Sequence, residues 1–212
     1  MNTKVLSVCL ALLVVLACAP SSGAESELVR KFKSALYTKD SPAMTDLAKE
    51  NRDMFPAEIE LLLLDAFAPG STDREVKFEI AEYMASEYGR VSGDRVILRN
   101  VKKRIFESRL SRVLRPEPSG GVITVESMST GSAHNVFVPD NIIVRSGTTV
   151  RWVNKDTTDH LLASTPVIGS TGIFSTVIKP GELWEYRFDT PGEYYYICFI
   201  HKVMYGKVTV EK

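Results

Sequence analysis

The sequence predicts two unlike domains in one chain, a small N-terminal helical bundle and a C-terminal antiparallel β-sandwich. Three observations predict this. Apolar residues recur at helical spacing as far as residue 115. "RPEPSGG" (residues 115–121) then breaks that period with two prolines and two glycines. Beyond it lie short runs rich in β-branched and aromatic residues, separated by turn signals.

The chain opens on a leader rather than on a core element. Lys4 supplies a positive flank, and residues 5–16 form an apolar run of secretory length. The run falls short of the roughly 20 residues that a membrane-spanning helix needs. "VLAC", ending at Cys18, directly follows it and resembles a bacterial lipobox. The expectation is a signal over residues 1–17, Cys18 as the lipidated mature N-terminus, and a protein anchored to a membrane in the cell envelope. "SGA" (residues 22–24) would instead suit an ordinary signal peptidase and release a soluble form.

Residues 25–115 form the predicted helical domain. Leu28, Phe32 and Leu36 recur at i, i+4 and i+8. Ser41-Pro42 pairs a cap with a proline in the first turn, and Pro56 opens "AEIELLLLDAF", which stops at Pro69-Gly70. Val76, Ile80, Tyr83 and Met84 trace the next face, and Ile97, Val101 and Ile105 the last. This half holds no haem-attachment motif, no phosphate loop and no histidine, and its function is not legible. Its last helix is basic (Arg95, Arg99, Lys102, Lys103, Arg104, Arg109, Arg112, Arg115). Such a run is a solvated face or, failing that, a dock for an acidic partner or lipid head groups. Over the whole chain 26 basic residues balance 26 acidic ones, which gives no ground for a nucleic-acid partner.

After the linker at 116–121, residues 122–212 carry seven or eight short strands, among them "VITVES", "TTVRWVN", "EYYYICF" and "GKVTVEK". That number over about ninety residues fits a sandwich. Strand parity places the chemistry. If Cys198 faces the interior, Tyr194 and Tyr196 do too, as core aromatics, while Tyr195 and Ile197 point outward.

Of three cysteines, Cys9 leaves with the signal and Cys18 is lipidated or removed, so Cys198 stands alone. A lone cysteine is ordinarily a buried, inert thiol. Here "CFIHKVM" puts Cys198, His201 and Met204 at three-residue steps on one loop. Of the other histidines, His160 follows a strand and a polar turn, which places it at one end of the sandwich. His134 stands at the start of a strand and reads as a surface residue. Two histidines, a cysteine and a weak axial methionine make the ligand set of a blue-copper centre, soft donors suiting Cu(I) and imidazole also suiting Cu(II). Zinc also takes Cys and His, but a thioether is a poor zinc ligand.

The framework makes the pattern specific. "F-x-P-x-x-I-x-V-x-x-G-x-x-V-x-W" runs from Phe137 through Pro139, Ile142, Val144, Gly147 and Val150 to Trp152, with Asn154 behind it. Together with "KPGELWEYRFDTPGEYYYICFIHKVMYGKVTVEK", it gives residues 121–212 a resemblance to the cupredoxins of the plastocyanin/amicyanin family. The short gap between His201 and Met204 is similar to that of amicyanin. The resemblance implies a Greek-key sandwich holding one type 1 copper per chain, with His160, Cys198, His201 and Met204 as ligands. It implies single-electron transfer with redox partner proteins of the envelope, and no enzymatic activity. A copper carrier or sensor using the same ligands is the alternative. A copper enzyme fails on histidine count, since only His134 remains.

Two positions depart from that family's pattern. Leu161 stands where Asn often follows the first ligand, leaving its backbone N–H as the group to reach the Cys198 sulfur. Ile197 replaces an outward tyrosine that serves plastocyanin as a remote electron exit, which points to exchange through the exposed edge of His201.

Overall fold

The structure, a computed structural model, describes residues 25–129 and 135–212. The predicted leader with Cys18, and His134, lie outside the described residues. The described residues divide into two compact units, with the boundary between Lys102 and Lys103. Among the described residues no helix is long and apolar enough to cross a membrane.

The first unit holds α1 (Glu27–Tyr37), α2 (Ser41–Glu50), α3 (Phe55–Phe67), α4 (Arg74–Ser92) and the start of α5 (Val96–Glu107). Its caps follow from the sequence, with one shift. Ser26 accepts the Val29 N–H at 3.2 Å to open α1. For α2 the cap is Asp40, whose carboxylate accepts the Ala43 N–H at 3.0 Å, and Ser41 is the first helical residue. The carboxylate wins because it offers an ionised acceptor to the free N–H groups of the first turn. Proline stands in the first turn of both α2 and α3. Gly93, at φ 81°, ends α4 in the left-handed conformation. The helix α4 packs on α2 and α3. Buried Phe55 meets Phe32 edge-on and stacks on Tyr88, with centroids 5.8 and 6.4 Å apart. Lys102 pairs with Glu82 at 2.6 Å.

The second unit is the β-sandwich. Its strands are β1 (Val122–Ser129), β2 (Asn135–Val138), β3 (Asn141–Arg145), β4 (Thr148–Asn154), β5 (Leu162–Ser164), β6 (Leu183–Phe188), β7 (Gly192–Cys198) and β8 (Tyr205–Glu211). One sheet has the order β2-β1-β4-β6, the other β3-β8-β7-β5. Both are antiparallel except for one pair each, β1 with β4 and β3 with β8. In each exception the chain crosses to the other sheet before it returns to pair. Ile123, Val125, Val150, Trp152 and Phe188 from one sheet meet Ile142, Val144, Tyr194, Tyr196, Val208 and Val210 from the other. Period-two alternation thus builds one apolar layer between the sheets.

The end of α5 belongs with the sandwich. Phe106 packs edge-on against Tyr195 and Tyr205, with ring centroids 5.3 and 5.1 Å away, and Leu110 and Ile197 join that cluster. Tyr195 does point to the outer face, as parity requires, yet it is fully buried there. Its hydroxyl donates to Glu107 at 2.6 Å. Part of the basic run is spent on this join: Lys103 pairs with Glu193 at 2.6 Å and Arg115 with Glu211 at 2.7 Å. Arg109 donates to the Tyr205 hydroxyl at 2.7 Å. Leu114 extends the edge of the second sheet, exchanging backbone hydrogen bonds with Asn141 and Ile143 at 2.9 Å. Gly120 and Gly121, both at positive φ, turn the chain into β1.

Candidate metal centre

Three of the four expected ligands hang from backbone that is fixed on both sides. The loop after β4 is held by Asn154, which is buried. Its amide donates to the carbonyls of Thr158 and Ile178 at 2.8 Å, and its oxygen accepts the Asp156 N–H at 2.9 Å. His160 then exchanges two backbone hydrogen bonds with Ile178, at 3.1 and 2.8 Å. On the other side Cys198 ends β7, and its register partner on β5 is Leu162, two residues beyond His160. The ligand loop closes on itself: Cys198 N–H donates to the Met204 carbonyl at 3.2 Å and Met204 N–H to the His201 carbonyl at 3.0 Å.

This frame brings His160, Cys198 and His201 together. The Cys198 sulfur lies 3.6 Å from His160 Nδ1 and 3.7 Å from His201 Nδ1, and the two nitrogens lie 3.2 Å apart. A point equidistant from the corners of a triangle with those sides is about 2.0 Å from each. Metal–imidazole bonds run to about 2.0–2.1 Å and metal–thiolate bonds to about 2.3 Å. Both imidazoles turn the same nitrogen inward. The donor set therefore fits a small first-row metal ion. Met204 is buried beside Cys198 in the sandwich core.

The surroundings are buried and asymmetric. His160 and Cys198 are fully buried, while His201 keeps part of its surface in solvent. Burial holds the His160 imidazole below the ordinary histidine value, and the facing His201 adds to this against the opposing pull of Asp156. Neutral imidazole is the state that ligates. The N–H that reaches the sulfur is that of His201, at 3.3 Å, not that of Leu161. Leu161 instead offers its carbonyl, which accepts the Phe199 N–H at 2.6 Å. Both inward tyrosine hydroxyls of β7 have partners: Tyr194 donates to the Thr190 carbonyl at 2.8 Å, and Tyr196 accepts from Trp152 Nε1 at 3.1 Å.

Reading the sequence missed Asp156, a buried acid whose carboxylate approaches His160 Nε2 to 3.4 Å. The signal was an acid four residues before the histidine, on a turn that the preceding asparagine folds back.

Two histidines and one cysteine around a common point, at one end of an eight-stranded sandwich, define a cupredoxin-type metal domain. Residues 124–211 match the model of the copper-binding proteins of the plastocyanin/azurin family. Plastocyanin of Scenedesmus fuscus is 30% identical over 98 residues, which cover 42% of this chain and 99% of that protein. Amicyanin-alpha of Methylorubrum extorquens is 27% identical over 100 residues, 44% of this chain and 83% of that protein. Among solved structures, a purple cupredoxin from Nitrosopumilus maritimus is similar at 28% identity and a TM-score of 0.39, covering 42% of this chain and 99% of that one. The chain belongs, through its second unit, to the plastocyanin/azurin family of copper-binding proteins.

Proposed function

We propose that the protein is an exported carrier of single electrons. One type 1 copper per chain would be held by His160, Cys198, His201 and Met204. Copper supplies the one-electron Cu(II)/Cu(I) couple. The observation that carries the reading is the donor triangle itself, two imidazole nitrogens and a cysteine sulfur within 3.2–3.7 Å of one another. The protein's share of the work is to keep that triangle still. Backbone pairing at His160, Cys198 and Met204 leaves little to rearrange when charge changes, and burial excludes water from Cys198.

Electrons enter and leave at His201, the ligand that meets solvent. The same loop exposes Phe199 (60%), Ile200 (48%) and Val203 (57%), an apolar rim suited to a brief contact with a redox partner of the cell envelope. The exported, lipid-anchored location rests on the leader and Cys18. Cys18→Ser should abolish labelling by fatty acid, and a mature N-terminus at Glu25 would rule the anchor out.

One optical spectrum tests the function. The oxidised, copper-loaded protein is expected to show an intense visible thiolate-to-Cu(II) band at one copper per chain, and Cys198→Ser to lose it. A colourless copper-loaded wild type overturns the type 1 assignment.

A further inference from the structure

Among the described residues Asp156 is the one buried carboxylic acid, its side chain only 3% exposed. Placing a carboxylate in such a site is costly unless it is paired and hydrogen-bonded. Its Oδ1 accepts the Thr157 N–H at 2.7 Å, and its Oδ2 takes the Thr158 hydroxyl at 3.3 Å. Neither partner is a cation. Oδ2 also lies 3.4 Å from His160 Nε2. That nitrogen is itself fully buried and has no hydrogen-bond partner. A buried acid and a buried, unpartnered imidazole nitrogen therefore face each other, a few tenths of an ångström beyond a normal N–H···O bond.

The opposite edge of the ring completes the argument. His160 turns Nδ1 toward Cys198 Sγ and His201 Nδ1, at 3.6 and 3.2 Å. A ligating nitrogen must be unprotonated, so the ring proton belongs on Nε2, pointing at Asp156. Charge on a metal at Nδ1 polarises that N–H, and a carboxylate beyond it is the partner that gains most.

We propose that Asp156 is a positioning residue of the metal centre. Its carboxylate accepts the Nε2–H of His160, keeps Nδ1 as the ligating atom, and favours the more highly charged state of the bound metal. The last clause rests on the copper electron-transfer reading. The first two concern this chain's own residues with any metal at the site. The loop is built to hold the acid in place: Asn154 accepts the Asp156 N–H, and both carboxylate oxygens are engaged by the next two residues.

The test uses the full-length protein in three forms: wild type, Asp156→Asn and Thr158→Ala. Asp156→Asn is isosteric, but with its one oxygen on the Thr157 N–H it presents an NH2 group to Nε2. Thr158→Ala removes the hydroxyl from the same carboxylate while sparing its charge. In the copper protein, Asp156→Asn is expected to lower Cu(II) affinity relative to Cu(I) about tenfold. For a one-electron couple that is a midpoint potential raised by about 60 mV, with Thr158→Ala near wild type. Equal potentials in all three forms, or equal shifts in both variants, overturn the effect on the metal.

A second arm needs neither colour nor redox activity. With zinc(II) bound, nitrogen-15 NMR of the wild type should show His160 protonated at Nε2. Its N–H proton should resonate far downfield and exchange slowly, and in Asp156→Asn it should move upfield and exchange faster. A wild-type ring protonated at Nδ1, or an Nε2–H in fast exchange, overturns the positioning role whether or not the variant folds. If wild type binds copper without the visible band, the electron-transfer reading fails, and the zinc arm still decides the role of Asp156.

Discussion

Leu161 and Phe199, the residues that directly follow His160 and Cys198, are joined backbone to backbone: the Phe199 N–H donates to the Leu161 carbonyl at 2.6 Å. The loops that carry His160 and Cys198 are thus tied without any side chain at position 161. The residue there is free to be leucine, because the tie needs only its carbonyl oxygen.

That division of labour has a direct consequence. Leu161→Ala should leave the visible band of the copper protein in place, since the carbonyl remains. Phe199→Pro removes the donor and leaves a partly buried acceptor unpaired, at a cost of about 1–3 kcal/mol. It should broaden or shift the band and speed the loss of metal to a chelator. Indistinguishable spectra and metal retention in the two variants would show that the tie does not hold the loops.

The end of α5 sets a second expectation. Phe106 is 6% exposed and covers Tyr195 and Tyr205 on the outer face of the second sheet. Truncating such a ring typically costs about 3–5 kcal/mol. Phe106→Ala should lower the denaturant midpoint of the sandwich by a matching amount, while the band survives, because the metal donors lie on the other face of β7. A fragment of residues 119–212 should be destabilised in the same way relative to one of 103–212. Equal midpoints would mean that the cover adds nothing.

A pH dependence follows from the charges beneath that cover. Burial by itself would raise the Glu193 carboxyl, but hydrogen bonds and charge from Lys103 and Lys207 outweigh it and hold the group at about 2, against an ordinary value of 4.5. Glu107 is lowered too, burial again being outweighed, here by Lys207 and Tyr195. A carboxyl held low in the folded state binds its proton less readily there than in the unfolded chain. Its contribution is therefore fully present above about pH 4.5 and is lost as pH falls toward 2. The groups are partly exposed, so solvent screening keeps the effect modest. Melting temperature should decline across that window, and Glu193→Gln should flatten the decline. A profile unchanged by the substitution would count against the pairing.

The grouping of Cys198 with His201 was legible because its signals are local. Three ligand types at three-residue steps sit on one loop, and parity along β7 sends Tyr194, Tyr196 and Cys198 inward together. What escaped depends on how the chain folds back on itself, over a few residues or over many. Parity made Tyr195 an outward residue, and only the arrival of Phe106 and Glu107, nearly ninety positions earlier, buries it. Asp156 looked like any turn acid until Asn154 folded it back beneath His160. The N–H that reaches the sulfur belongs to His201 because the loop after Cys198 curls back within three residues, a geometry that spacing alone does not specify.

The final prediction separates a carrier of electrons from a carrier of copper. His160 and Cys198 are fully buried, and His201 is the single inner donor with a solvent-facing surface. Met204, 1% exposed, lies in the same core as Cys198 and is the proposed fourth ligand. A chelator therefore has no open position from which to displace the ligands one at a time, and metal should leave slowly in both oxidation states. Electron exchange at the His201 edge faces no such barrier. Voltammetry should be fast and reversible, while Cu(I) transfer to a chelator of moderate strength should take far longer than electron exchange. Met204→Leu keeps the bulk and removes the thioether. It should move the potential and leave copper bound, because an axial thioether tunes the site more than it holds the metal. Rapid surrender of Cu(I) together with sluggish electron exchange would assign the protein to copper delivery or sensing instead.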